Sequence, residues 1–220
     1  YRAEFPNIYR APKGMADEDK IKYYVDNLEH MFVEAAPADS VAAIIFEPIQ
    51  GEGGFIPAPI EWVKAVRQIC DKHGILMITD EVQTGWSRSG SLFVSDYYKE
   101  AGCAPDIMTT AKSIAGGLPL SAVVAKKEIM DAVPAGTIGG TYCGNPLACA
   151  SALKVMEVME KEDYPGKAKK IGAIAMDKFN EWKEKYEVIG DVRGIGSMIG
   201  VEFVKDKATK EANAEIVGKI

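Results

Sequence analysis

The sequence predicts an α/β protein with a mostly parallel sheet, helices on both faces of that sheet, and the start of a smaller α+β domain. Short, continuously apolar, β-branched segments, which are typical of parallel strands buried on both faces, alternate with segments that have helical spacing of apolar residues. This pattern changes near residue 160. We therefore expect residues 1–160 to form the main domain and residues 161–220 to begin the smaller one.

The strands and helices of the main domain alternate in the order expected of βαβ units. Apolar runs that are too short for helices predict strands, and the 3.6-residue period predicts the helices between them. In such sheets, ligands bind beyond the carboxyl ends of the strands. The predicted strands are residues 41–46, 75–79, 105–110 and 121–125, and the predicted helices are residues 21–34, 60–72, 95–101 and 145–160.

The carboxyl-terminal part has a different pattern. An amphipathic helix is predicted from residue 164 through 182, followed by a Gly-rich segment over 188–204 and a helix over 211–220. The segment GIGSMIG, residues 194–200, resembles a dinucleotide-binding fingerprint. It has one residue too many before its last glycine and no helix with a suitably placed acidic residue, so we reject a Rossmann interpretation.

Charge and composition exclude several classes of partner. The net charge of −6, without a block of basic residues, argues against nucleic-acid binding. No apolar run approaches the roughly 20 residues that cross a bilayer, and we expect no membrane partner and a cytoplasmic location. The four cysteines lack CxxC spacing and only His30 and His73 could join them, so we expect buried or incidental thiols and no metal site.

Asp80 and Lys112 are the first candidates for chemistry. A carboxylate at the end of an apolar strand is costly unless a partner offsets its desolvation, and a cationic ligand group would be such a partner; Asp80 could equally cap the next turn. Lys112 lies in a Gly-rich stretch of small residues. Most lysines are solvated, but a lysine among small apolar neighbours would have a lowered pKa and could form a Schiff base with a carbonyl.

Two further segments contain candidate ligand groups. The Gly-rich residues 139–145 precede a helix, so free amides and the Thr141 hydroxyl could bind a phosphate, although a plain loop and cap is the commoner explanation. Glu47 and Glu52 flank Gln50 at the end of the first strand and could face a substrate amine or an arginine. As a general acid/base pair they are weak evidence, because no Ser/His/Asp or Cys/His set accompanies them.

Together these segments resemble the class III aminotransferases of PLP (pyridoxal 5′-phosphate) fold type I, most closely the 4-aminobutyrate aminotransferases. The similarity runs almost continuously from about residue 41 to 204, and four specific segments occur in one order. The chain resembles the core of such an enzyme, truncated at both ends. The four segments are EPIQGEGG (47–54), ITDEVQTG (78–85), TAKSIAGG (110–117) and GGTYCGNP (139–146).

The resemblance implies a role for each candidate residue. Lys112 would carry PLP as a Schiff base and then move the substrate proton, while Asp80 would pair with the pyridine nitrogen and keep the ring protonated. Val82 would pack on the ring face and Gln83 would hydrogen-bond the ring hydroxyl. Thr141 would bind the cofactor phosphate of the neighbouring subunit, since sites in this family are shared across a homodimer.

The resemblance also implies the reaction. Glu52 resembles the family carboxylate that pairs with a substrate-binding arginine when the amine donor lacks an α-carboxylate. Glu47 remains a second substrate candidate, and Arg193 is expected to be structural. The leading hypothesis is transfer of an amino group from an ω-amino acid, most similar to 4-aminobutyrate, to the 2-oxo acid 2-oxoglutarate. The alternatives are an aminomutase or racemase with the same lysine and aspartate, or a noncatalytic fragment.

Overall fold

The computed structural model describes residues 1–137 and 139–220. Its helices and strands follow the alternating order that the sequence predicts for the first 160 residues. The helices are α1 (Asp17–Glu34), α2 (Ile60–His73), α3 (Val94–Glu100), α4 (Lys127–Asp131), α5 (Pro146–Lys161), α6 (Tyr164–Lys185) and α7 (Ala214–Val217), and the strands are β1 (Ala43–Phe46), β2 (Ile49–Gln50), β3 (Ile56–Pro57), β4 (Leu76–Asp80), β5 (Ile107–Thr110), β6 (Ala122–Ala125), β7 (Ile189–Ile195) and β8 (Met198–Phe203).

The central sheet has four strands in the order β1-β4-β5-β6. The first three are parallel, with Ile78 paired to Ile45 on one side and to Ile107 on the other, whereas β6 runs antiparallel to β5. This arrangement confirms the predicted mostly parallel α/β sheet. Because β1, β4 and β5 are parallel neighbours, their carboxyl ends meet at one edge of the sheet.

Helices α1 and α2 cover one face of the sheet. Helix α2 buries Trp62, Val63, Val66, Ile69 and Cys70, whose spacing places them on one side of the helix. They form a single core with buried Tyr24 and Leu28 of α1 and with Phe46 and Met77 of the sheet. On the opposite face, Ile45 and Val123 are 59% and 49% exposed, so the described residues cover this face less completely than the sequence predicts.

Asp106 joins the sheet to α2 at the edge opposite the carboxyl ends of the parallel strands. Its carboxylate is buried and accepts hydrogen bonds from Arg67 Nη1 at 2.7 Å, Lys126 Nζ at 2.5 Å and the Met77 amide at 2.8 Å. Burial by itself would raise the pKa of Asp106, but these bonds outweigh it and hold the pKa below its usual value. The ionised carboxylate therefore stabilises the folded state.

We expect Asp106→Asn to lower the free energy of unfolding by about 3 kcal/mol, because Arg67 and Lys126 would lose the charge that compensates them. A depressed carboxyl pKa contributes stability above the pKa of the unfolded chain, near 3.9, and loses it as pH falls through the folded value. Urea unfolding between about pH 7 and 3 should thus show a smaller loss of stability in Asp106→Asn than in the unsubstituted protein. An equal loss in both proteins would contradict this role.

The carboxyl-terminal residues form a helix and a hairpin. Strands β7 and β8 pair antiparallel, with Gly194 opposite Ile199, and α6 packs against them. The segment that resembles a dinucleotide fingerprint is thus the turn of a β-hairpin, which confirms its rejection as a Rossmann motif. The division into domains near residue 160 coincides with the break between α5 and α6 and stays a prediction.

The helix predicted over residues 211–220 is wrong in length. Only Ala214–Val217 is α-helical. Ala212 instead forms a bridge with Val204, and the Asn213 amide donates to the Phe203 carbonyl, so the chain here continues along the end of β8. A backbone that pairs with a strand cannot also make helical hydrogen bonds, and the helix begins only after Asn213 caps it.

Candidate active site

Three candidate side chains lie at the shared carboxyl edge of the central sheet. Glu47 follows β1 directly, Asp80 is the last residue of β4, and Lys112 lies two residues after β5. These strands are neighbours, and Asp80 pairs with Thr109 in the register of β4 and β5. The fold therefore brings together a carboxylate, a second carboxylate and an amine that are far apart in sequence, at the edge where the sequence predicts ligand binding.

Lys112 begins a short 3-10 turn, Lys112–Ala115, with a backbone φ of 47°. A positive φ is uncommon for a residue with a side chain and is retained only where surrounding contacts hold it. Here Ile114 and Ala115 are buried against α5, and the Ser151 hydroxyl donates to the Ala115 carbonyl at 2.9 Å. The turn that carries the Lys112 amine is thus held in place by α5.

The amine of Lys112 donates a hydrogen bond of 2.8 Å to Gln83 Oε1. This contact joins two residues that the resemblance assigns to one cofactor. Enclosure of Lys112 by small apolar neighbours, one of the two interpretations of its sequence, is not observed, because the side chain is exposed in the described structure. Its small neighbours serve the backbone turn, because Ile114 and Ala115 face the core and Gly116 ends the turn.

Asp80 is half-buried at the end of β4. Its Oδ1 accepts the Val82 amide at 3.0 Å, so the carboxylate does cap the next turn, as one of the two interpretations held. Among the described residues, no lysine, arginine or histidine pairs with it. One carboxylate oxygen is therefore available to a cation at the sheet edge, and Val82 is held on the adjacent turn, also half-buried.

Glu81, to which the sequence analysis gave no role, anchors that turn from within the core. It is fully buried and accepts hydrogen bonds from the Thr84 hydroxyl and from the amides of Val94 and Ser95, at the start of α3. Burial raises the pKa of Glu81 despite these bonds. Adjacent acidic residues at a strand end point to opposite sides, so the alternation along β4 could have shown that Asp80 and Glu81 differ in role.

The loop between β2 and β3 closes one side of the site. Glu47 Oε2 accepts the Gly51 amide at 2.8 Å, which makes Glu47 a support for the loop. A Cβ atom on Gly51 would lie 2.3 Å from Gln83 Oε1, so the loop passes close to the end of the Gln83 side chain. Glu52 is exposed on the loop. Glu47, Gln50 and Asp80 line one cavity of about 430 Å³ beside the sheet edge.

Thr141 makes no hydrogen bond to Asp80, Gln83 or Lys112 in the described part of the chain. It is exposed on the loop before α5. The helix itself begins one residue later than predicted, with the Asn145 side chain accepting the Leu147 amide at 2.9 Å. The predicted cap is therefore present, and the phosphate contact of Thr141 stays a prediction.

The side chains at the sheet edge fit PLP in chemical type. The amine of Lys112 suits an aldehyde, the carboxylate of Asp80 suits a protonated ring nitrogen, and the amide of Gln83 suits a ring hydroxyl. All three surround the carboxyl ends of β4 and β5. This fold and this set of groups define the class of PLP-dependent transferases of fold type I.

The chain belongs to the class III aminotransferase family, because residues 1–219 match the family model described as "Aminotransferase class-III". It is 48% identical over its whole length to the 5-aminovalerate aminotransferase DavT of Pseudomonas putida, and 41% identical over its whole length to the 4-aminobutyrate aminotransferase GabT of Escherichia coli. It covers 49% of each of these proteins. The chain thus spans about half the length of the curated relatives that it matches.

Solved structures agree with this assignment. An amine transaminase from an uncultivated Pseudomonas species, in its PLP-bound form, superposes with a TM-score of 0.89 at 38% identity over 99% of this chain and 50% of that one. The family and this structure make pyridoxal 5′-phosphate the cofactor of the class to which the chain belongs. In the described parts of the chain, no helix has both the length and the apolar character that crossing a bilayer requires.

Proposed function

We propose that the protein is an aminotransferase that moves an amino group from an ω-amino acid such as 4-aminobutyrate to 2-oxoglutarate. The observation that carries the proposal is the placement of Asp80 and Lys112 at the carboxyl ends of the adjacent parallel strands β4 and β5, with Lys112 Nζ 2.8 Å from Gln83 Oε1. An amine and a carboxylate held apart at one sheet edge match the two ends of the PLP ring that need them. The relatives named above supply the class of amine donor.

Lys112 is the proposed nucleophile and proton carrier. PLP, when bound, supplies an aldehyde that forms Schiff bases with amines and a ring that withdraws electrons from the substrate carbon. The Lys112 amine would hold the cofactor through its aldehyde, and the same amine would move a proton between carbons of the substrate. Its exposed position at the sheet edge gives the amine access to a substrate carbon.

Asp80, Val82 and Gln83 orient the ring. The carboxylate of Asp80 would hold a proton on the pyridine nitrogen, and the hydrogen bond from the Val82 amide fixes the carboxylate at the end of β4. Gln83 accepts a hydrogen bond from Lys112 through Oε1, and its amide N–H groups would be available to the ring hydroxyl. Val82 would pack against the ring face from the same turn.

Thr141 binds the cofactor phosphate of a neighbouring subunit in this proposal. Thr141 is exposed and makes no hydrogen bond to Lys112 among the described residues, which is compatible with a site completed by a second copy of the chain. A homodimer with shared active sites is therefore part of the proposal. The cytoplasmic location expected from the sequence stays a prediction.

Glu52 and Glu47 act on the substrate side. Glu52 is exposed on the loop beside the site and is available to an arginine or an ammonium group, so it can change partner between two unlike substrates. Glu47 lines the same cavity as Asp80, but one of its oxygens is occupied by the Gly51 amide. Glu47 therefore affects the substrate mainly indirectly, by holding the loop that carries Glu52 in place.

The test is borohydride reduction of the purified protein with PLP, followed by peptide mass analysis and an assay of nitrogen transfer. We expect a phosphopyridoxyl label on Lys112 and glutamate formed from 4-aminobutyrate and 2-oxoglutarate. Label on another lysine, or no label, contradicts the site. Label on Lys112 with racemised or isomerised amino acid, and no glutamate, selects the aminomutase or racemase alternative.

A further inference from the structure

A guanidinium group from the carboxyl-terminal hairpin forms hydrogen bonds with the loop that carries Glu52. Arg193 of β7 donates two hydrogen bonds to the Gly54 carbonyl, from Nε at 3.0 Å and from Nη2 at 2.7 Å. These residues are 139 positions apart in sequence. A carbonyl held by both arms of a planar, rigid fork has little freedom to rotate, and a lysine could not reproduce this contact.

The same guanidinium is held from behind by two carboxylates. Arg193 Nη1 donates to Asp191 at 2.9 Å and to Glu202 at 2.6 Å, and all three side chains are less than one-fifth exposed. Glu202 is shared with Arg10, whose Nε lies 2.7 Å from it. Largely buried charged groups that satisfy one another this way hold a fixed geometry, so the position of Arg193 does not depend on its contact with Gly54.

A second residue of the hairpin leaves room for the same carbonyl. A Cβ atom on Gly200 of β8 would lie 2.8 Å from the Gly54 oxygen. The loop therefore rests directly on the hairpin backbone, and a side chain at position 200 would push it away. The loop can therefore be disturbed in two independent ways. Substitution of Arg193 alters the charged hydrogen bonds to Gly54, and substitution of Gly200 introduces a steric clash with Gly54.

We infer that Arg193 is a positioning residue for residues 51–55, and that by fixing this loop it sets the discrimination of the site between amine donors with and without an α-carboxylate. Glu52 can change partner between two substrates only if its backbone returns to one place, and the Gly54 carbonyl lies two residues away. The effect on donors rests on the proposed function. The effect on the loop does not.

Amide hydrogen exchange of the PLP-loaded protein tests the loop directly. The amides of Gly54 and Phe55 donate to the Gly51 carbonyl, at 3.0 and 3.3 Å, and report on the loop in one peptide. In Arg193→Lys and in Gly200→Ala we expect their exchange to be about tenfold faster, since charged hydrogen bonds or close packing are lost. The matched control is Arg10→Lys, which alters a partner of the same Glu202 but no contact to Gly54.

Unchanged exchange in Arg193→Lys, or an equal increase in Arg10→Lys, overturns the positioning role. Steady-state kinetics then test its consequence. We expect the ratio of kcat/KM for 4-aminobutyrate to that for glutamate to change about tenfold in Arg193→Lys and Gly200→Ala, through KM and with kcat within about twofold. A loosened loop with an unchanged donor ratio overturns the role in discrimination.

Different measurements test the proposed function and this inference. The proposed function fails if the unsubstituted protein transfers no nitrogen, whereas the inference fails only in the comparison of the three variants. Melting temperatures of the variants separate a local change from general unfolding. We expect Arg193→Lys and Arg10→Lys to melt within a few degrees of each other, because both keep the positive charge beside Glu202.

Discussion

Lys112→Ala is expected to reduce nitrogen transfer by roughly 10³-fold or more, within the range that loss of a proton-transferring group alone produces. Under the proposed function, the variant loses both the amine that would hold the cofactor and the base that would move the substrate proton. Gln83 would lose its hydrogen-bond partner, but the turn itself is held by Ile114, Ala115 and α5, so the fold should persist. Single-turnover loss of amino group from 4-aminobutyrate, followed by absorbance, measures the effect.

The matched control for this variant is Lys127→Ala. Lys127 is an exposed lysine at the start of α4 that pairs only with Asp131 in the described contacts. We expect its removal to leave the rate within about twofold, as for surface substitutions generally. Addition of a small primary amine should partly restore proton transfer in Lys112→Ala and have no effect on the control. Activity within tenfold of the unsubstituted protein in Lys112→Ala would disprove the assignment of the nucleophile.

Asp80→Asn is expected to lower kcat by about 10- to 1,000-fold while the cofactor remains bound. A carboxylate beside a cation raises the pKa of that cation by roughly one to three units, so the neutral amide lowers the fraction of protonated ring by the corresponding factor. The Val82 amide can still donate to the Asn oxygen, which keeps the turn in place. Steady-state kcat and fluorescence titration with PLP measure the two quantities separately.

The activity of Asp80→Asn should also depend more steeply on pH. Because Asp80 would no longer hold the proton on the ring, the activity of the variant is expected to increase as pH is lowered. A general loss of stability would instead make the activity fall as pH is lowered. Asp71→Asn on α2 serves as the control, since Asp71 is exposed and pairs with Arg67 at 2.7 Å, away from the sheet edge. An unchanged kcat in Asp80→Asn would show that its carboxylate does not act on the ring.

Much of the fold follows from local sequence patterns. The strands that end at Phe46, Asp80 and Thr110 were predictable because continuous β-branched runs of this length have few alternative structures, and α2 because its apolar residues lie on one side. The antiparallel direction of β6 was not predicted. The direction of a strand depends on its connection and packing, and those are absent from the local pattern.

The residue types of the candidate site could be predicted where a motif coincides with a strand end. Asp80 and Lys112 stand out because a charged residue after an apolar strand requires an explanation, and the resemblance supplied their roles. The anchoring function of Glu81 and the grip of Arg193 on Gly54 were missed. The alternation along β4 indicates only that Glu81 points away from Asp80. Its partners at the start of α3, like the contact between Arg193 and Gly54, meet only once the chain is folded.

The sequence by itself determined the α/β class, the order of the elements and the residue types of the candidate site, because hydrophobic periodicity and motif chemistry are local properties. Only the tertiary structure decided which of those residues meet. It brought Lys112 into contact with Gln83 and set the carboxyl-terminal hairpin against the loop of Glu52. These contacts join residues from 29 to 139 positions apart, and they exist only when the strands are aligned and the core is packed.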